Sequence, residues 1–538
     1  MAGTAAEDAS GTEHGPVLDF GERNGRVRGD DHATTVAGSS RGRASRTGIS
    51  VGSLTAQQRG RLAVVLLAFA IAAITAAGLL GPSAAEAALP GRVVSPPFDF
   101  AARPPQWLVT LLLDAAVIAG AAGLASALSA LRAGWSPAPR PLIRASYGAA
   151  AAAVLVPPMG SADHLVYAAY GRLVTTGGNP YTQTAHTLAL HGDPIGLAVQ
   201  PPWINTSSVY GPAATAQQAL ASWIGGDSVH TTVFVLALIG AAGYVAAGAM
   251  LRRIGDPVRV TLLFGLNPLL LLDNVNAAHL DAFGTAIAVA GIYVLHRRTD
   301  LAGALAAGAI IGASCAVKLS FGLAVLAGVW ALRRRPGLAA AFVAAAAAAG
   351  LAIYLPYETV AFEPARQAAQ MISLGSAWRP LLDPLQNAVG GTTARDLISA
   401  LGWLTAAVAA WLLAPVVRAR RPGATGDEAV RALAVLGLAW ALAAPYTLPW
   451  YDVVFWAPLA ACAAGAVDLL AVARTGVLSL GYIPGLDLPL EPGLAGWANW
   501  MRADAAPVFS IGALAACAVL GVRARLTRRA DLIGRDGR

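Results

Sequence analysis

Apolar runs of roughly 17–22 residues recur along this chain, each long enough to cross about 30 Å of hydrocarbon as a helix. Polar segments separate them, most short and two long. In lipid, backbone hydrogen bonding leaves only helices or a closed barrel. Alanine-rich runs of this length do not alternate as barrel strands do. The pattern therefore predicts an all-α, polytopic transmembrane protein. Spans are expected at 62–80, 107–131, 142–159, 231–251, 259–273, 281–296, 301–317, 320–333, 338–355, 398–417, 429–446, 453–473 and 506–522. A weaker stretch, 475–490, contains Pro484 and Gly485 and reads as a broken span. Omitting it gives about 13 spans. Counting it gives 14 and returns the arginine-rich C-terminus to the side of the other basic loops.

Residues 1–58 are rich in Gly, Ala, Ser, Thr, Arg and Asp and read as a disordered cytoplasmic tail. No short apolar region with a cleavage site begins near Met1, so the first span is expected to remain as an anchor. A core over 59–475, C-terminal spans over 476–522 and a basic tail over 523–538 complete the organisation.

Composition fits a membrane protein. Of 538 residues, 56% are hydrophobic and 13% charged, against about a quarter charged in soluble domains. The net charge of +8 does not point to nucleic acid, because the arginines cluster in short loops. These are Arg252 and Arg253, Arg297 and Arg298, Arg333 to Arg335, Arg418 to Arg421, and Arg523 to Arg529. Such clusters at alternate loops mark the cytoplasmic side. The loops 160–230 and 356–397 then face outward, and function is expected there. Cys315, Cys462 and Cys517 lie in apolar runs without metal-ligand spacing, so neither a disulfide nor a zinc site is expected. No GxxxxGK[ST] loop is present, so any group transfer needs a donor already in the membrane.

Candidate chemistry sits at the expected outer rim. Asp163 and His164 follow an apolar run that ends at Met159, and a short interfacial helix with Tyr167, Tyr170 and Arg172 is expected after them. A carboxylate at a membrane rim is costly unless solvated, paired or used. Asp163 suits a base and Arg172 a phosphate clamp. An N-cap and a snorkelling arginine are the plainer alternatives. Gly177-Gly178-Asn179-Pro180-Tyr181 reads as a turn. Asp273-Asn274-Val275-Asn276-Ala277-Ala278-His279-Leu280-Asp281 crowds polar groups into one outer turn after Asn267-Pro268. His279 could bind a phosphate or sugar hydroxyl with Asp281 orienting it, or Asn276 and Asp273 could simply cap helices. Lys318 either snorkels or neutralises a lipid phosphate. Trp450 and Tyr451 are belt aromatics or a stacking platform for a sugar, with Asp452 accepting its hydroxyls. Arg379 in the second long loop is a weaker cation of the same kind.

Taken together, Asp163, Tyr167, Gly171-Arg172-Leu173 and Gly178-Asn179-Pro180-Tyr181 resemble the first outer loop of integral-membrane, GT-C fold glycosyltransferases that use polyprenol-phosphate sugars. The likeness is greatest to the polyprenol-phosphomannose-dependent α-1,6-mannosyltransferases of actinobacteria. Asn267-Pro268, His279-Leu280-Asp281-Ala282 and Leu448-Pro449-Trp450-Tyr451 support it over residues 60–475. The resemblance implies a multi-pass, GT-C-like cell-membrane enzyme with juxtamembrane helices in its large outer loop. It would move mannose from a polyprenyl-phosphate donor to a mannan or lipomannan-type glycolipid on the extracytoplasmic face, inverting the anomeric centre and forming α-1,6 linkages. Asp163 is then the expected general base. Arg172, Lys318, His279 and Arg379 are candidates for the donor phosphate, and His164, Tyr167, Asn179, Tyr181, Asp281, Trp450, Tyr451 and Asp452 for sugar or acceptor. Neither metal nor cofactor is expected, since the phosphate already leaves readily. Polyprenyl-phosphate arabinose or glucose is the alternative donor. A lipid or solute transporter is the alternative class, disfavoured because no repeat relates the halves and the polar clusters lie at the rim.

Overall fold

The computed structural model describes residues 54–90 and 95–536, with side chains through Arg528. The expected N-terminal tail therefore lies outside the described residues, apart from 54–58. No strand occurs among the described residues, and the protein is all-helical. α1 (Ala56–Leu80) opens on a capping box in which Thr55 and Gln58 satisfy each other's backbone N–H groups. It packs along α2 (Gln106–Arg132), and α3 (Pro139–Leu155) follows. The first long loop folds into α4 (Asp163–Thr175), α5 (Ala185–Leu190), α6 (Pro194–Ala198) and α7 (Pro212–Gly225). After α8 (Val229–Ile254) come the short α9 (Pro257–Val260) and α10 (Pro268–Leu270), each running on into a wider π-turn. α11 (Asp281–Arg297), α12 (Leu301–Cys315), α13 (Gly322–Leu332) and α14 (Pro336–Tyr354) lead to the second long loop, which holds α15 (Glu363–Ala368) and α16 (Arg379–Val389). The chain ends with α17 (Gly391–Leu413), α18 (Thr425–Ala443), α19 (Val453–Ala461), α20 (Val467–Tyr482), α21 (Pro492–Trp500) and α22 (Ala506–Asp536).

By length and composition, six helical stretches can cross a membrane: α1, α2, α8, α14 with its extension to Tyr357, α17, and the α21–α22 rod to Arg528. The α9–α10 pair, bent by 42°, makes a seventh if it is one broken span. The bend has a local cause. Asn267 accepts from Leu269 N and Leu270 N and so starts a new helix, with Pro268 at its first position. The other expected spans fall on shorter helices, or on α18, whose first turns carry Asp427, Glu428 and Arg431.

One expected span is corrected. Residues 453–473 are not a single helix: α19 stops at Ala461 and α20 starts at Val467. The buried Arg259 guanidinium occupies the break, donating to Cys462 O at 3.1 Å, Leu459 O at 3.2 Å and both Asp468 oxygens at 3.1 and 2.8 Å. Backbone carbonyls freed by the break thus find a charged donor, and Asp468 supplies its counter-charge. The expected broken segment 475–490 is then the C-terminal half of α20 followed by a turn through Pro484 and Gly485.

The arginines gather at the same end. Arg132 donates to Gly465 O at 2.5 Å, Arg418 to Ala464 O at 3.1 Å and Arg528 to Pro415 O at 3.0 Å, while Arg525 reaches Trp411 O. The α22 arginines therefore share a rim with the loop arginines. Asp163 lies away from these arginines, near the C-terminal ends of α3, α12 and α20.

Candidate active site

The local sequence sets α4 deep against its neighbours. His164, Leu165, Val166, Tyr167, Ala168, Ala169, Tyr170, Gly171 and Leu173 are all buried, so this is no loosely attached interfacial helix. Gly171 lies against the Gln218 carbonyl of α7, where any Cβ would collide with backbone. The following turn forms as expected, with Asn179 Oδ1 accepting from Tyr181 N at 2.9 Å and Gln183 accepting from Asn179 N at 2.9 Å.

Three contacts fix the approach to Asp163. Asn276 accepts from Met159 N at 3.1 Å and donates to Ala153 O and Pro157 O at 3.0 Å, tying the end of α3 to the His279 turn. Gly160 N donates to Ala85 O at 2.9 Å. Gly485, at φ +106, lies against the Gly160 backbone where a side chain would not fit. Asn276 is therefore a staple between segments and caps no helix.

The Asp163 carboxyl does not cap α4. The N-cap is Ala162, without a side-chain bond, and Asp163 is the first helical residue. Its Oδ2 instead accepts from Tyr167 Oη at 3.3 Å and lies 3.6 Å from His279 Nδ1. Tyr167 Oη is also 3.3 Å from both His279 Nδ1 and Tyr210 Oη. His279 is fully buried and stacks on Trp450, with ring centroids 3.9 Å apart and planes 11° from parallel. Beside this group Lys318 Nζ donates to Asp281 Oδ1 at 2.9 Å and sits 3.4 Å above the Tyr451 ring. Residues far apart in the chain thus form one cluster: Asp163, Tyr167, Tyr210, His279, Asp281, Lys318, Trp450 and Tyr451.

Electrostatics assign forms to these groups. Burial pushes the Asp163 carboxyl up to about 6, opposed by bonds from Ser161 and Tyr167 and by the Lys318 charge, and supported by the Asp281 charge. About a fifth of that side chain reaches solvent, so the carboxyl can meet a ligand. Burial, with Lys318 nearby, holds His279 well below the usual imidazole range, hence neutral. Burial also lowers Lys318, against the pull of Asp281 and Asp163. His279 Nε2 has no partner among the described residues, and His279 lines a cavity of about 10 Å³ with Asp273 and Ser479, room for about one water.

Other expected residues lie elsewhere. Arg172 donates to Asp193 at 2.7 Å and to Asp227, so its guanidinium is committed within the loop. Arg379 pairs with Asp383 at 3.5 Å along α16. Tyr181 bonds Thr215 at 2.9 Å and packs on Tyr357. His164 is wholly enclosed, and burial lowers it to about 4. Asp452 is buried and accepts from Arg474 at 2.5 and 2.7 Å and from Thr475 at 2.6 Å. Arg474 also donates to Thr447 at 2.6 Å. This buried network anchors both sides of the Trp450–Tyr451 turn.

Sequence reasoning missed Tyr210 and Arg474 as site residues. Tyr210 lies in the long 160–230 loop and belongs to none of the motifs singled out along the chain. It is carried in because Gly211 N and Ala213 N donate to Val317 O and Ala316 O at 3.0 and 2.9 Å, docking the loop on the Lys318 turn. Arg474 lies at the one position between the expected stretches 453–473 and 475–490, and an arginine there was a usable signal.

Among curated proteins, the chain is similar to alpha-(1->6)-mannopyranosyltransferase A of Corynebacterium glutamicum, with 26% identity over 185 residues. That match covers 33% of this chain and 37% of the relative, so the chain spans little more than a third of the length of the relative it matches. Among solved structures it is similar to the archaeal oligosaccharyltransferase AglB from Archaeoglobus fulgidus, at 14% identity over 58% of this chain and 48% of that one. The TM-score is 0.29, too low for that likeness to bear on the fold or the chemistry. A family model described as alpha-(1->6)-mannopyranosyltransferase, N-terminal domain, matches residues 64–334, just over half of the chain. The matched stretch contains Asp163, Tyr167, Tyr210, His279, Asp281 and Lys318 and stops before Trp450. This multi-pass membrane protein belongs to the alpha-(1->6)-mannopyranosyltransferase family.

Proposed function

We propose that the protein transfers mannose from a polyprenyl-phosphate donor to a mannan or lipomannan-type glycolipid, forming an α-1,6 linkage on the extracytoplasmic face of a GT-C-like membrane core. The observation that carries this reading is the Asp163 carboxyl, buried yet reachable and held by Tyr167, beside a lysine at the same rim. Asp163 accepts the proton of the acceptor hydroxyl as that oxygen attacks the anomeric carbon. The bond between that carbon and the phosphate oxygen breaks, and its electron pair leaves with the polyprenyl phosphate. Attack from the face opposite the phosphate inverts the centre. Lys318 offsets the charge that develops on the leaving phosphate. Of the expected phosphate-binding residues it is the best placed, because it belongs to the Asp163 cluster even while it pairs with Asp281, whereas Arg172 and Arg379 are held by carboxylates elsewhere and His279 is neutral. The reading assigns no metal ion or cofactor to the step. Trp450, buried against His279, and Tyr451, beneath Lys318, wall the reacting groups with aromatic surface and hold those two side chains in place. Family membership supports the mannosyl donor.

The test offers purified protein in proteoliposomes three radiolabelled polyprenyl-phosphate sugars, carrying mannose, arabinose or glucose, with a short α-mannoside acceptor. Product from the mannose donor alone supports the reading. Product from another sugar alone replaces the donor. Label crossing the bilayer without product makes the protein a transporter.

A further inference from the structure

At the arginine-rich end, remote from Asp163, the start of α1 and the segment after α2 line an open cavity of about 510 Å³. Its walls are Gln57, Gly60, Arg61, Val64, Val65, Trp135, Ser136 and Pro137. The walls are fixed by contacts outside the cavity. Arg59 donates to Ser129 at 2.8 Å, and Ser126 donates to Arg59 O at 2.9 Å, locking α1 to α2. Gly60 lets the Trp135 indole lie against the α1 backbone, since a Cβ at position 60 would strike the ring. Arg59 is therefore occupied, whereas Arg61, the indole N–H, the Gln57 amide and the Ser136 hydroxyl have no partner among the described residues.

We infer that this cavity binds the headgroup of an anionic phospholipid. The unpartnered groups are a cation and three donors, the complement of a phosphodiester oxygen set. Val64 and Val65, both exposed, continue the cavity wall along the lipid-facing side of α1, where acyl chains run. An indole at this level is suited to the boundary between headgroups and hydrocarbon. A soluble phosphate would use the donors and leave the valine wall without a partner, so the apolar wall favours a lipid. The inference does not depend on the transfer reaction.

The experiment is native mass spectrometry of the purified full-length protein after exchange into mixed phosphatidylglycerol and phosphatidylcholine. Wild-type protein should retain phosphatidylglycerol preferentially. Arg61→Gln should cut that retention about fivefold, the effect of one basic residue near an anionic surface. Trp135→Phe, which keeps the ring and removes the N–H, should give a smaller loss, and thermal stability should stay near wild type in both. Arg140→Gln, an exposed arginine at the same end but outside the cavity, should leave retention unchanged. Equal losses at Arg61 and Arg140 would reduce the effect to diffuse charge and overturn the site. Absence of any phosphatidylglycerol preference overturns it as well. Displacement of the lipid by millimolar inorganic phosphate would overturn the lipid assignment in favour of a phosphate-ion site.

Discussion

Replacing Asp163 with asparagine should raise the protein's stability at neutral pH. Burial lifts the carboxyl from 3.8 to about 6, so at pH 7 the folded protein holds a carboxylate in surroundings that favour the acid. The sign follows by linkage. Below the unfolded value the group is protonated in both states and the cost is absent. It grows as pH rises toward the folded value and is complete above it. A displacement of about two units corresponds to roughly 3 kcal/mol. With a fifth of the side chain in solvent, about 1–2 kcal/mol is the stability that asparagine should restore, after discounting for solvent screening. Thermal unfolding of the purified protein in detergent, near pH 7.5 and near pH 4, measures this. The variant should melt above wild type at the higher pH and level with it at the lower. A variant that melts below wild type near pH 7.5 would make the carboxylate a net structural support and refute the reasoning.

Three further outcomes follow from the same geometry. With Asp163 as base, kcat/KM should rise with pH through a midpoint near 6 and fall about tenfold per unit below it; Lys318→Met removes a charge that lowers this value, so the midpoint should move upward in a pH–rate series. Arg474→Met strands the Asp452 carboxylate inside the protein and should cost about 3–5 kcal/mol in denaturant unfolding, while the double variant Arg474→Met/Asp452→Leu should recover most of it. Gly171→Ala pushes a methyl into the Gln218 carbonyl and should destabilise the α4–α7 packing by about 1–3 kcal/mol, seen as a lower melting temperature.

Much of this site was legible along the chain because polar residues at a membrane rim stand out against an alanine and leucine background. Asp163, His279, Asp281, Lys318, Trp450 and Tyr451 were each singled out, and the fold brings all six into one cluster. Their roles were less legible, since a capping aspartate and a reactive one look alike in sequence. The geometry separates them: the Asp163 oxygen faces Tyr167 and His279, and α4 is left without a side-chain cap. Arg172 shows the reverse case. Its partners, Asp193 and Asp227, come from the same loop at separations that no helical spacing links. The break between α19 and α20 was hidden because its cause, Arg259, lies some two hundred residues earlier. Arg474 and Arg259 share one lesson. An arginine at the edge of an apolar run indicates a buried carboxylate partner, and the pattern of long apolar stretches does not say which.

The central claim, that Asp163 drives mannosyl transfer at this rim, is tested most directly by a single-turnover measurement. Wild-type and Asp163→Asn proteins, reconstituted at equal amounts and shown to bind the donor equally, would be mixed with radiolabelled polyprenyl-phosphomannose and an α-mannoside acceptor. The account predicts mannose on the acceptor with wild type and a rate at least about 10²-fold lower with the variant. Comparable first turnovers from both proteins would contradict it.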